Sequence, residues 1–320
     1  MTQQPAFQTF RQQLLNAVVG QDRLIDRLLI ALLADGHLLV EGAPGLAKTR
    51  AIKALAAGLK TDFHRVQFTP DLLPADITGS DIYRPQTGVF DFQRGPLFHN
   101  LILADEINRA PAKVQSALLE AMAERQVSVG QTTYPLDELF LVMATQNPLE
   151  QEGTYPLPEA QLDRFLMYVC IDYPDPATER SILQLARREQ RGETPVSEAP
   201  LSRGQCLAAR EEVAGLYMAE AVEDYVLALV LASRGQGDRR LSCEHWIRFG
   251  ASPRATIALD RCSRALAWLR GRDYVTPDEV REIAHDVLRH RILLTFEAEA
   301  EGVTSDMIID RMLNEVPVAL

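Results

Sequence analysis

Cysteine is sparse in this chain. Its 320 residues hold four, Cys170, Cys206, Cys243 and Cys262, far apart and without C-x-x-C or zinc-site spacing. A disulfide scaffold and a zinc site are therefore not expected, and the thiols read as reduced, mostly buried groups of a cytosolic protein. Histidine supplies no ligand set: there are six, and His285 and His290, five apart, would fall on different faces of a helix. No apolar run is long enough to cross a bilayer, and the longest, such as residues 225–232, are expected as buried helix. The opening residues, Met1-Thr2-Gln3-Gln4-Pro5, lack the charged-then-apolar order of a secretory leader, so none is expected. Basic excess is missing too. Lys and Arg total 33 against 44 Asp and Glu, a net charge of −11. That opposes a general affinity for nucleic acid, while remaining compatible with a local basic groove. The length allows a sizeable core and two domains.

What is present begins with Gly42-Ala43-Pro44-Gly45-Leu46-Ala47-Lys48-Thr49. A short apolar run, residues 37–41, precedes it and a helical pattern, residues 50–59, follows it. A triphosphate needs many donors at once. Small residues let backbone N–H groups wrap its oxygens, and the following helix start adds positive potential. Lys48 would neutralise β/γ charge and the Thr49 hydroxyl would ligate Mg²⁺. Ala47 stands where the G-x-x-x-x-G-K-[ST] pattern has glycine. If the backbone there has positive φ, alanine costs about 1–2 kcal/mol; if it is already helical, alanine costs nothing. The plain alternative is an ordinary Gly/Pro turn between strand and helix.

Five apolar runs read as strands: residues 37–41, 63–68, 101–104, 139–145 and 165–171. Helical patterns separate most of them, the signature of a parallel sheet with helices on both faces. After residue 173 strand signals cease. Asp175-Pro176 reads as an N-cap with proline at the first helical position. Residues 190–200 read as a loop, and helices are expected over 202–216, 219–234 and 254–270. Thr276-Pro277-Asp278-Glu279 is a capping-box start for a helix reaching about residue 290. The expected division is an α/β nucleotide-binding core, residues 1–174, and an all-helical domain, residues 175–320. Two hairpins interrupt the core, one around Thr87-Gly88 and one around Gly130. Considered alone, each is surface decoration.

Residues 101–106 form an apolar strand ending in Asp105 and Glu106. Asp105 would hold Mg²⁺, directly or through water, and Glu106 would orient and deprotonate the attacking water. A solvated turn is the bland reading, and the phosphate loop upstream weighs against it. Residues 141–148 end a strand in Gln146-Asn147-Pro148. In a parallel sheet that places Asn147 beside Glu106, to hold the water or sense the γ-phosphate; a turn-forming Asn-Pro pair fits the spacing equally well. Arg164 and Arg254 each stand at the start of an element. Arginine suits a developing phosphoryl charge, but on residue chemistry alone a surface ion pair is the better reading of each.

The ordered motifs GAPGLAKT (42–49), LILADEIN (101–108), ATQNP (144–148), LPEAQLDRF (157–165) and GASPRA (250–255) are similar to those of the AAA+ ATPases. Within them they resemble the MoxR family, over nearly the whole chain and including Val19-Gly20-Gln21. MoxR proteins commonly carry alanine at the position of Ala47. The resemblance implies a P-loop AAA+ core with helix-2 and pre-sensor-1 hairpin inserts, followed by a helical lid. Residues 42–49 would be Walker A, and Asp105 and Glu106 Walker B with Glu106 the base. Asn147 would be sensor 1, Arg164 the arginine finger reaching a neighbour's γ-phosphate, and Arg254 sensor 2, tying the lid to the γ-phosphate. Gly20 and Gln21 would begin the adenine pocket. ATP and Mg²⁺ are the implied cofactors, with Thr49 and Asp105 as metal ligands. The implied assembly is a ring, usually a hexamer, with ATP between protomers and the inserts facing the channel or the upper surface. The implied work is ATP-driven chaperoning of a protein client, with a von Willebrand factor A domain partner, to mature metal-dependent complexes. The alternatives are an MCM-like nucleic-acid motor, against which the acidic charge and the Lys/Arg-free second hairpin weigh, and a nucleotide-gated scaffold or magnesium-chelatase-like subunit.

Overall fold

A computed structural model of the chain describes residues 2–86, 88–148, 153–192, 201–237 and 240–318. Most of the expected loop at 190–200, and Thr87 of the first hairpin, lie outside the described residues. In chain order the core holds α1 (Gln4–Ala17), α2 (Asp22–Leu33), β1 (Leu38–Glu41), α3 (Lys48–Leu59), β2 (Phe63–Gln67), α4 (Pro74–Thr78), β3 (Gly79–Arg84) and β4 (Val89–Arg94). It continues with β5 (Leu101–Asp105), α5 (Ala112–Glu124), β6 (Gln126–Val129), β7 (Thr132–Pro135), β8 (Leu141–Gln146), α6 (Glu159–Leu162) and β9 (Met167–Cys170). Helices α7 (Pro176–Gln190), α8 (Arg203–Ala214), α9 (Glu220–Ser233), α10 (Pro253–Leu269), α11 (Pro277–Leu288), α12 (Phe296–Ala300) and α13 (Ser305–Glu315) follow.

Five strands form one parallel sheet in the order β2-β5-β8-β1-β9. Successive side chains point to opposite faces, and the burial separates accordingly. Leu38, Val40, Leu101, Leu103, Leu141 and Met143 enter one apolar cluster. Leu39, Ile102, Ala104, Val142 and Ala144 enter the other. On the first face lie α1, α2 and α3. Helix α2 buries nine of its twelve residues, as a helix covered on nearly all sides must. Neither it nor α1 has a side-chain cap or a motif that marks its start. On the second face lies α5, whose Val114, Leu118, Leu119 and Met122 repeat at helical spacing. The register sets the strand ends side by side: Glu41 opposite Gln146 and Cys170, and Gln67 opposite Asp105. That shared carboxyl edge is where ligands of open parallel sheets gather.

Both hairpins form, as the antiparallel pairs β3–β4 and β6–β7. They lean on each other, with the Phe92 and Tyr134 rings stacked at 4.2 Å between centroids and Phe98 against both. Beyond that contact Tyr83 and Phe90 pair in the open, more than half exposed.

The region after β9 is helical, with starts set by local capping. Asp175 accepts from the N–H groups of Ala177 and Thr178 at 2.9 Å, Thr276 and Glu279 close a capping box, and Ser202 does the same with Gln205. Two short ladders cross it: Tyr217–Met218 beside Tyr274–Val275, and Ile247–Phe249 beside Leu293–Leu294. Such short strands carry no periodicity to be read. Helix α11 docks on the core through ions. Asp286, fully buried, accepts from Arg23 at 2.6 Å, Arg27 at 2.7 Å and Arg289 at 3.2 Å. Buried Arg291 donates to Asp163 Oδ1 at 2.7 Å and to the Phe165 carbonyl at 2.6 Å. The first apolar cluster runs without a break from α1 and α2 into α10 and α11.

Candidate nucleotide site

Strand β1 delivers the chain into the loop at Gly42. A Cβ there would lie 2.8 Å from the Ile171 carbonyl oxygen, so only glycine lets the loop pass β9's end. Gly45 takes φ +87° with open space around it, so conformation rather than crowding demands it. Ala47 takes φ 57°, ψ 18°. The condition left open by the sequence is thereby settled: alanine sits in the left-handed region and bears its cost. Ala47 is also the N-cap of α3, and no side chain caps that helix start. The first-turn N–H groups of a twelve-residue helix thus face the cleft, with the dipole's positive end. This is a cradle for an anion.

Lys48 Nζ donates to the Gly42 carbonyl at 2.6 Å. Burial draws its pKa down, while Asp105, Glu106 and Glu41 oppose that. Thr49, Asp105, Glu106 and Asn147 line the same cleft of about 380 Å³. Asp105 Oδ1 accepts from the Thr145 hydroxyl at 2.6 Å, and the Glu106 N–H donates to that same oxygen of Thr145 at 3.0 Å. Glu106 stands at φ 57°, a strained turn that brings its carboxylate round to the cleft beside Asp105. Gln67 donates to Glu106 Oε2 at 2.7 Å and Arg109 at 3.1 Å. Asn147 is nearly buried, just past β8. The hydroxyl of Thr49 and the carboxylate of Asp105 are hard oxygen donors of the kind Mg²⁺ takes alongside phosphate, so the residues fit that ion.

A second cleft of about 530 Å³ adjoins the first and shares residues 44–47 with it. Its walls are mostly apolar, with Val18, Val19, Tyr173, Pro174 and Ile182 among them, and Gln21, Arg50 and Glu179 also line it. Gly20 lies behind it, against Thr178. The pairing of a polar cleft with an apolar one suits a nucleotide, phosphates in the first and base in the second.

Arg164 and Arg254 are elsewhere. They line one cleft of about 330 Å³ together with His37, Arg125 and Arg261. His37 precedes β1 and Leu166 precedes β9, so this cleft lies at the amino ends of those strands, across the sheet from the loop. Arg164 Nη1 donates to the Leu119 carbonyl at 2.8 Å, and Arg254 Nη1 is 3.9 Å from Asp163 Oδ2. The reason is the anchoring of α10: the Ser252 hydroxyl donates to Asp163 at 2.8 Å, pinning that helix start to the segment ahead of β9. A contact between Arg254 and a nucleotide on its own chain's loop is therefore not part of this arrangement.

Sequence reasoning passed over Arg65, Gln67, Arg109 and Thr145. Arg65 donates to Asp105 Oδ2 at 2.6 Å and lines the phosphate cleft. Arg65 and Gln67 are two apart on one strand, hence on one face, but only the pairing of β2 with β5 shows what that face meets.

The model of the ATPase family associated with various cellular activities matches residues 37–167, and that of the AAA lid domain matches residues 239–312. Chaperone MoxR1 of Mycobacterium tuberculosis is 48% identical over 301 residues, 93% of this chain and 78% of that one. The chain belongs to the MoxR family of AAA+ ATPases. The uncharacterised protein YeaC of Bacillus subtilis is 42% identical over 301 residues, 94% of this chain and 91% of that one. A crystal structure of an inferred ATPase from Cytophaga hutchinsonii superposes with a TM-score of 0.91 at 46% identity, covering 99% of this chain and 97% of the other. Among the described residues, no helix of this MoxR-family chain is long and apolar enough to cross a membrane.

Proposed function

We propose that this MoxR-family chain hydrolyses ATP at a site completed by the next copy in a closed ring, and uses the cycle to remodel protein clients. The observation that carries this reading is the separation of two clefts in one chain. Lys48, Thr49, Asp105 and Glu106 lie at the carboxyl edge of the sheet, and Arg164 and Arg254 at the amino edge. In a head-to-tail ring each copy offers one edge to each neighbour. Arg164 and Arg254 then meet the nucleotide held by the adjacent loop.

The loop's N–H groups and Lys48 hold the phosphates. Thr49 and Asp105 hold Mg²⁺, which, when bound, offsets β/γ charge. Glu106, kept in place by Gln67 and Arg109, takes the proton of the attacking water, and Asn147 orients that water. Arg164 and Arg254 stabilise charge developing on the neighbour's γ-phosphate. The working division is a core of residues 1–174 and a lid of residues 175–320, with α11's buried ion pairs carrying motion between them. The similarity to MoxR1, a chaperone, supports a protein client. So does the first hairpin, whose open tip presents Tyr83 and Phe90 while its Arg84 is paired with Asp91. A von Willebrand factor A domain partner rests on the family alone.

The test is ATP hydrolysis against protein concentration, with particle mass, for wild type and Arg164→Ala. Specific activity that rises as rings assemble, with an assembled but inactive variant, supports a shared site. Flat activity from a monomer overturns it.

A further inference from the structure

Arg65 lines the phosphate cleft in a position that conflicts with the ion the cleft would bind. It lies on β2, the edge strand of the sheet, and its register partner is Leu103. To reach Asp105, two residues further along β5, its side chain must run along the strand toward the carboxyl edge. There Nη2 and Nε both donate to the same oxygen, Asp105 Oδ2, at 2.6 and 3.1 Å. Nη2 also donates to Gln67 Oε1 at 3.1 Å, and Gln67 in turn donates to Glu106. The other oxygen of Asp105, Oδ1, is taken by the Thr145 hydroxyl at 2.6 Å. Both oxygens are therefore engaged, one by a guanidinium.

A guanidinium and a divalent cation on one carboxylate oxygen repel each other. The two partners differ in freedom: the Arg65 side chain is 48% exposed and that of Asp105 15%. The arginine can leave and the carboxylate cannot. We propose, building on the Mg²⁺–ATP reading of this site, that Arg65 is a positioning residue that holds Asp105 in place for the metal and is displaced from Oδ2 when the metal arrives. Arg65 stands in for the cation in the metal-free site. It keeps Asp105 and Glu106 from repelling each other and an incoming triphosphate, and it makes the metal compete for its ligand.

The consequence is thermodynamic coupling between metal and nucleotide. The quantity to measure is the ratio of the mant-ATP dissociation constant in EDTA to that in excess Mg²⁺, read by fluorescence with no hydrolysis required. In Arg65→Ala the metal-free site holds an uncompensated carboxylate, and the metal displaces no cation. The ratio should rise about fivefold, the scale of a partly exposed ion pair. Arg65→Gln should behave like Arg65→Ala. Arg65→Lys, which keeps the charge, should stay near wild type. A ratio unchanged in Arg65→Ala and Arg65→Gln overturns the proposal. So does an equal loss of affinity in both buffers, which would make Arg65 a direct phosphate contact. If wild type binds mant-ATP in neither buffer, the nucleotide-site reading fails instead, so the two failures are distinguishable. Near-ultraviolet circular dichroism of each variant checks the fold: a variant that has lost its native signal yet leaves the other substitution's ratio at the wild-type value counts against the proposal.

Discussion

Mixing two inactive variants tests the division of the site between copies, and the recovery can be worked out beforehand. Glu106 lines the phosphate cleft and Arg164 the arginine cleft, and the two clefts have no lining residue in common. At a head-to-tail interface one copy supplies Glu106 and the next supplies Arg164. Arg164→Ala protein retains Glu106; Glu106→Gln protein retains Arg164. In an equal, random mixture an interface is intact when its first copy is the former and its second the latter. That is about half of a half, so about one quarter of interfaces are restored whatever the ring size. Background is negligible, because an arginine supplied in trans is worth about 10³–10⁵ in kcat. The assay is steady-state ATP hydrolysis at fixed total protein, scanned over mixing ratio, with native mass spectrometry confirming mixed particles. Recovery should peak at equal amounts and approach one quarter of the wild-type rate if sites act independently. Arg254→Ala should rescue Glu106→Gln in the same way. Arg164→Ala mixed with Arg254→Ala should give nothing, since both lesions fall on the same side of every interface. Recovery from that last pair, or none from the first pair in proven mixed rings, refutes the reasoning.

Three further outcomes concern stability. Asp286→Ala leaves Arg27, 3% exposed, with Glu282 at 3.5 Å as its remaining ion partner; the loss in urea unfolding should be about 3–5 kcal/mol, and a loss under about 1 kcal/mol would show that α11 is not held by these ions. Ala47→Gly removes about 1–2 kcal/mol of left-handed cost and gives back about 0.5–1 kcal/mol of unfolded-chain freedom. A modest rise in the urea midpoint is expected; a fall would mean that the Ala47 methyl's packing on the core outweighs its backbone cost. His37 accepts the Val142 N–H on Nδ1 and contacts the Met122 carbonyl through Nε2. Burial is the main cause that lowers its pKa to about 4. The unfolded ring takes a proton near its ordinary value, so between about pH 6.5 and 4 the unfolded chain binds more protons, and stability falls as pH drops, by about 3 kcal/mol for this group. His37→Asn should flatten the pH dependence of the urea midpoint across that window; an unchanged slope would count against a neutral buried ring.

Much of this arrangement was legible without coordinates, and for a consistent reason. The phosphate loop, the Asp105-Glu106 strand end, the Asp175 N-cap and the Thr276–Glu279 box all act within a few residues of themselves. Strands β1, β5 and β8 are buried on both faces, so they appear as unbroken apolar runs. Elements without such signals were harder. Helix α2 is amphipathic but has no side-chain cap or motif to mark its start, and the short ladders after β9 have no period.

The sequence by itself determined the chemistry available: a phosphate cradle, two adjacent carboxylates, an amide after the fourth strand run, and two arginines at element starts. Those are properties of residue type and short spacing. Tertiary structure alone decided which of them meet. Whether Ala47 lies at positive φ depends on how β1 hands the chain to α3 past Ile171. Whether Arg65 finds Asp105 depends on the register of β2 against β5, two strands separated by both α4 and the first hairpin. And whether Arg164 and Arg254 serve their own loop or another depends on which end of the sheet each occupies, set by Ser252 and Arg291 gripping Asp163 across some ninety to one hundred and thirty residues of chain. Contacts between residues so far apart follow from how the whole core packs, and no local pattern encodes them.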